Sequence, residues 1–222
     1  MLPNLESIDN TGGEPLLSKS HEKFLELIIE EGYSNKINLS YNTNGTKYPE
    51  KLINELWPKF KEIKIRFSID DIEKRFEYQR HPANWKEVTK NMEKFKNTNL
   101  KNLKLEIYSV ISIFNILYVQ ELYEFVKIFG ATYWNIAILD DPNEFSIKHL
   151  PKSMKLSLAN KYTKIKEYTE IQKITNELQV NHAVDQNWKQ SFIHKINITD
   201  KVRKENFAKT FTEMNELIHK YC

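Results

Sequence analysis

The chain has 222 residues, of which 40% are hydrophobic, 12% aromatic and 28% charged, and 33 Lys and Arg against 30 Asp and Glu leave a net charge of +3. That composition excludes a disordered chain, and lysines interleaved with glutamates, as in KFKEIKI and NMEKFKN, exclude the one-sided basic surface that nucleic-acid binding needs. The apolar run IYSVISIF (107–114) is shorter than the roughly 20 residues of a membrane span, MLPNLESID lacks a signal-peptide layout, and a single cysteine, Cys222, excludes an internal disulfide; a cytoplasmic protein with no membrane or nucleic-acid partner is expected.

A short apolar strand opens the chain and ends at TGGEPLL (11–17), which holds two of the five glycines. Leu17, Phe24, Leu25, Ile28 and Ile29 then recur at helical spacing up to a stop at Gly32. Ile37, Leu39 and Tyr41 alternate as a strand and run into a turn at Asn44 and Gly45, read as type I′. The same period repeats: a helix over 48–60, a strand over 62–70, an amphipathic helix over 84–97, a strand over 102–113, a helix over 117–130 and a strand over 132–139. Five strands alternating with helices predict an α/β fold with a parallel sheet built from right-handed crossovers. Beyond Pro142 the chain is lysine-rich and helix-like, with helix starts expected at Asp185 and at Thr199 or Asp200. The expected division is a core over 1–145 and a helical extension over 146–222.

Parallel α/β sheets bind ligands outside the carboxyl ends of their strands. Gly12, Gly13 and Glu14, then Asn42, Thr43, Asn44 and Gly45, then Ser68 and Asp70, Ser109 and Ser112, and Asp140 and Asp141 all fall at such ends. Glycine there allows a close approach to the backbone, while strand-to-helix turns also favour glycine and capping residues for purely structural reasons. The six histidines show no metal-ligand spacing on a helix and read as surface or capping residues. Trp57, Trp85, Trp134 and Trp188 read as core anchors. The acid pairs Asp70-Asp71 and Asp140-Asp141 suit helix capping better than acid-base work.

GGEPLL, YNTNGT, FSIDD and FEYQRHPANWKEVTKNMEKFK, in that order at the ends of successive βα units, resemble the radical S-adenosylmethionine superfamily between about Leu5 and Asp140. The resemblance is greatest to its small phage-like or twitch-domain relatives. It implies a partial (β/α)6 TIM-like half-barrel with S-adenosylmethionine as cofactor. By that resemblance Gly12, Gly13, Glu14 and Pro15 receive the cofactor's methionyl amino group, Asn42, Thr43 and Asn44 line the pocket, Ser68 and Asp70 contact ribose or methionyl groups, and Arg80 pairs with the carboxylate. A primary ammonium has three donors to satisfy, which suits a carboxylate beside bare glycine backbone, and a guanidinium suits a carboxylate bidentately.

The family's [4Fe-4S] cluster is held by three cysteines, usually C-x-x-x-C-x-x-C, upstream of the GGE motif, and clusters require thiolates. Only ten residues precede Thr11 and none is cysteine, so this chain alone is expected not to hold the cluster and to be inactive. The resemblance then implies a partner: an N-terminal fragment or separate subunit carrying the cluster loop, a unit on the order of 30 residues. The intact form is expected to cleave S-adenosylmethionine reductively to a 5′-deoxyadenosyl radical and to abstract hydrogen from a peptide or small-molecule substrate. A non-catalytic scaffold derived from the same fold is the alternative.

Overall fold

The computed structural model describes residues 2–162, 169–180, 182 and 187–221. Five strands, β1 (Ser7–Asn10), β2 (Asn38–Thr43), β3 (Glu62–Ser68), β4 (Leu103–Ile111) and β5 (Tyr133–Ile138), form one sheet in the order β1-β2-β3-β4-β5. Asn38 stands opposite Ser7 and Glu62, and Leu103 stands opposite Ile63, all in parallel register. Sequential parallel strands joined by helices are the α/β class expected, a partial (β/α)6 TIM-like half-barrel with a C-terminal helical tail. None of the described helices is long and apolar enough to cross a membrane.

The described chain divides into two compact units, the first formed by residues 1–69, 83–108 and 126–134 and the second by 70–82, 109–125 and 135–222. In the first unit, period-two alternation sets the two faces of the sheet. Ile63, Ile65 and Phe67 of β3 are fully buried, while Lys64 and Arg66 lie on the other face. There Glu106 of β4 pairs with Arg66 at 3.2 Å and Lys64 at 3.6 Å, and Arg66 reaches Asp9 of β1 at 3.5 Å.

Two amphipathic helices, α1 (Lys19–Glu30) and α3 (Trp85–Lys96), turn Leu25, Ile28, Val88, Met92 and Phe95 into this core. Each begins at a side-chain cap, Ser18 accepting from the His21 N–H and Asn84 from the Glu87 N–H. The helix predicted over 48–60 is a π-helical turn, Leu52–Leu56, running into a 3-10 turn, Trp57–Lys59. Pro58 has no N–H to continue a helical ladder.

Trp57 Nε1–H donates to the Tyr41 hydroxyl at 3.1 Å, and that hydroxyl lies 2.8 Å from His21 Nε2. An indole can only donate, whereas a hydroxyl can donate and accept, so the Tyr41 oxygen joins both rings in one buried chain of polar contacts. Burial lowers the His21 pKa.

The second unit contains α2 (Glu73–Gln79), the first residues of α4 (Val119–Phe129), and α5 (Lys152–Tyr162), α6 (Thr169–Gln179), α7 (Trp188–Arg203), α8 (Phe207–Thr210) and α9 (Thr212–Tyr221). Its core is aromatic: Tyr78, Phe114, Phe145, Phe192, Phe207 and Phe211 meet in edge, tilted and stacked contacts with centroids 4.9 to 6.3 Å apart. Trp57, Trp134 and Trp188 are buried, as core anchors should be, whereas Trp85, the first residue of α3, is only half-buried.

The predicted helix start at Thr199 or Asp200 is corrected, because both residues lie inside α7. The Asp200 carboxylate accepts instead from the Tyr78 hydroxyl and from the Phe207 N–H, each at 2.8 Å. Asn206 caps α8 through the Lys209 N–H. The start expected at Asp185 lies outside the described residues.

Candidate functional site

Within the first unit, the turn after β1 is built by its two glycines. Gly12 and Gly13 have φ of +85° and +55°, a left-handed conformation that side-chain-bearing residues adopt only with strain. A Cβ on either would meet nothing within 4 Å. Backbone conformation, rather than crowding by the rest of the chain, therefore requires glycine here, and the space beside the turn is open.

The turn delivers Glu14 onto the end of β2. Its carboxylate accepts from the Thr43 hydroxyl, 2.9 and 3.0 Å from its two oxygens, and from the Asn44 N–H at 3.1 Å. It also caps the Pro15–Leu17 turn through the Leu16 N–H at 3.3 Å. Glu14 thus fastens the first rim loop to the second. A carboxylate offers about four lone-pair sites, and these donors occupy most of them.

The second loop is fixed in turn. The Thr43 hydroxyl accepts from the Gly45 N–H at 3.1 Å, and Asn44 Oδ1 accepts from the Thr46 N–H at 2.9 Å and hydroxyl at 2.6 Å. Gly45 has φ +75°, but Asn44 is not among the described residues with positive φ. The turn is therefore not the type I′ expected, which needs positive φ at both central residues; the Asn44 side chain closes an Asx turn instead.

Asn42, on the polar face of β2 opposite Arg66, has a buried Oδ1 with no hydrogen-bond partner among the described residues. A buried acceptor left unpaired is costly, on the order of 1–3 kcal/mol. Ser68 ends β3 opposite Tyr108.

Within the second unit, Asp70 and Arg80 stand together. Asp70 Oδ2 is 2.6 Å from Arg80 Nη2, and Oδ1 accepts from the Val110 N–H at 2.8 Å. Asn115 locks this segment, donating to the Asp70 and Val110 carbonyls at 2.7 and 2.8 Å and accepting from the Ser112 N–H at 2.8 Å. Burial pushes the Asp70 carboxyl above the ordinary carboxylate range, against the opposing pull of Arg80 and the Val110 N–H. Arg80 keeps a buried Nε with no partner among the described residues.

The neighbouring Asp71 accepts from the Ile72 N–H and Arg75 Nε, at 2.8 and 2.9 Å, and burial pushes it up to about 7. Sequence reasoning passed over Asp71 as a capping residue. It also missed the cation that answers it, because EKRFEYQ (73–79) carries no helical apolar stripe; Arg75 bridges Asp71 to Glu121 and stacks 3.9 Å above the Tyr118 ring. Of the other acid pair, Asp140 is ion-paired to Lys148.

The structure thus joins Glu14, Thr43 and Asn44 in the first unit and Asp70 and Arg80 in the second. No protein-family model matches the chain, and no curated protein is similar to it in sequence. Solved structures do share its fold. Structures of anSMEcpe with bound AdoMet, one of them also with a Cp18Cys peptide, superimpose with TM-scores of 0.51 and 0.52 at 22% identity, covering 71% of this chain and 45% of theirs. A further anSMEcpe structure with bound AdoMet matches 73% of this chain and 48% of its own at 20% identity and a TM-score of 0.51. The chain spans just under half the length of these structures. What the chain shares with these AdoMet-bound structures is the fold.

Proposed function

We propose that this chain is the S-adenosylmethionine-binding core of a radical S-adenosylmethionine system, and that the methionyl amino group is taken at the rim of the first unit. One observation carries the reading: the buried, unpaired Oδ1 of Asn42 beside a rim that Glu14, Thr43 and Asn44 hold rigid. An ammonium brings the donors that Asn42 lacks. The open left-handed turn at Gly12 and Gly13, ahead of Pro15, leaves backbone accessible beside it. Glu14 supplies negative charge there while keeping both loops in register. In the second unit, the reading assigns ligand contact to Arg80, whose buried Nε is unpaired, with Asp70 holding its guanidinium; Ser68 is assigned to the cofactor by resemblance only.

S-adenosylmethionine, when bound and reductively cleaved at an iron-sulfur cluster, supplies a radical able to take hydrogen from a peptide or small substrate. The cluster itself does not fit these residues. A [4Fe-4S] centre in the family's manner needs three thiolates, and the 222 residues contain one cysteine. The reading therefore places the cluster on other polypeptide and expects no turnover from this chain by itself. Kinship with the phage-like and twitch-domain relatives belongs to the same proposal.

A second reading has its own support. Glu14 is already engaged by Leu16, Thr43 and Asn44, as in a rim that has become purely structural, and the chain is then a cluster-free scaffold. Calorimetric titration with S-adenosylmethionine separates the two. The first reading expects saturable heat that Asn42→Ala weakens about five- to tenfold, the worth of one hydrogen bond to a charged group. Absence of heat at millimolar ligand establishes the scaffold.

A further inference from the structure

At the other end of the first unit's sheet from its glycine rim, a cavity of about 660 Å³ opens between two connections. One wall is the segment that leads into β3 at Glu62, and the other is the loop that leads from α3 into β4 at Leu103. Its volume lies within the range of small-molecule clefts, roughly 300–1,000 Å³. Parallel α/β sheets take their usual ligands at the carboxyl ends of the strands, so a cleft at the amino ends is separate from the rim.

The lining is divided by chemistry. Ile53 and Phe60, both buried, supply an apolar wall. Against them stand four asparagines, Asn54 from the first segment and Asn97, Asn99 and Asn102 from the second. Lys101 is the one charged side chain among the lining residues.

Turn chemistry does not account for these asparagines. Asparagine serves turns by adopting positive φ or by bonding the backbone of its own loop. None of the four has positive φ, and the side chains of Asn54, Asn97 and Asn99 make no hydrogen bond among the described residues. Asn102 is bonded, but across the cleft: its Nδ2 donates to the Trp57 and Phe60 carbonyls at 3.0 and 2.7 Å. Both amide hydrogens are thereby spent, which leaves its Oδ1 as an acceptor. The same two bonds hold one wall against the other, so the cleft is shaped before any ligand arrives.

A carboxamide donates and accepts without charge, and its complement is a group that does the same. A sugar hydroxyl is such a group, carried on a ring whose C–H face packs on apolar surface. A bound cation would need a carboxylate to answer it, and the lining holds none.

We propose that this cleft binds a neutral mono- or disaccharide, with hydroxyls on the Asn54, Asn97 and Asn99 carboxamides and the Asn102 Oδ1 and a ring face on Ile53 and Phe60. The site goes beyond the cofactor reading and does not rest on it.

Titration of the ¹⁵N-labelled chain with maltose, cellobiose and lactose, followed by heteronuclear NMR, tests the site. At least one sugar should saturate in the millimolar range and shift the side-chain amide resonances of the four asparagines together. Asn54→Ala and Asn99→Ala, at exposed positions where circular dichroism should report an unchanged fold, should each weaken binding about fivefold and together about twentyfold. No saturation by any of the three sugars, or saturation that leaves these amides unmoved, overturns the proposal. Affinity that both alanine variants leave unchanged overturns it too, because the amides are then bystanders. So does displacement of the sugar by inorganic phosphate, since Lys101 and an anion then define the site.

Discussion

Asp71 is the residue whose chemistry departs furthest from its ordinary behaviour, since its side chain is fully buried and its pKa is raised to about 7. Desolvation is the leading cause; Arg75 and the Ile72 N–H oppose it, and Glu121 adds to it. An unfolded aspartate titrates near 3.9, so between about pH 4 and 7 the native state binds more protons than the unfolded one. Stability from this group is complete below pH 4 and is lost as pH rises through 7. Asp70, raised for the same reason, acts in the same direction. Urea unfolding from pH 4.5 to 8 should therefore give Asp71→Asn a flatter profile than wild type, the two curves diverging on the order of a few kcal/mol across the range. A mutant profile parallel to wild type shows that Asp71 titrates normally. None of this was legible in the DD pair itself: the carboxylate's surroundings are set by Arg75 and Gln79 on a helix that local pattern does not announce.

At the scale of elements, the strands were read correctly because alternation is a local signal, as in Ile63, Ile65 and Phe67 of β3. α2 was missed because it opens at Glu73 with φ +52° and no side-chain cap, and has only Phe76 and Tyr78 to bury. The tail was mis-segmented at Asp200 for a different reason. An oxygen-bearing residue before an apolar stretch looks like a helix start, yet this carboxylate serves Tyr78, 122 residues away in sequence, and the first N–H of α8. Those two bonds tie α7 to α2 and to α8 within the second unit. Asp200→Ala removes both and leaves the Tyr78 hydroxyl, in a buried residue, without its acceptor. A loss of about 2–3 kcal/mol is expected in equilibrium unfolding. Asp200→Asn, which retains an acceptor oxygen, should recover at least half of it. Equal losses in the two variants assign the effect to the charge rather than to the bonds.

For the whole molecule, the rim motif and the cysteine count carry different kinds of information. The GGEP stretch pointed to open backbone beside a carboxylate; the left-handed turn at Gly12 and Gly13 came from the structure, and that Glu14 is held by Thr43, 29 residues on, depended on which strands are neighbours and was invisible locally. Counting needs no fold: one cysteine cannot replace three thiolates whatever the geometry. The consequence is testable on the intact chain. Anaerobic incubation with ferrous iron, sulfide and thiol, followed by desalting, should leave well under four irons per chain and no broad visible charge-transfer absorption. With dithionite and S-adenosylmethionine the same sample should release no 5′-deoxyadenosine above a protein-free control. Four retained irons with cluster absorption require ligands other than cysteine within these residues, and the division of labour proposed here, cofactor rim on this chain and iron on another, then fails. If iron is absent but calorimetry shows S-adenosylmethionine binding, that division stands, because grip and ignition have been measured apart in one polypeptide.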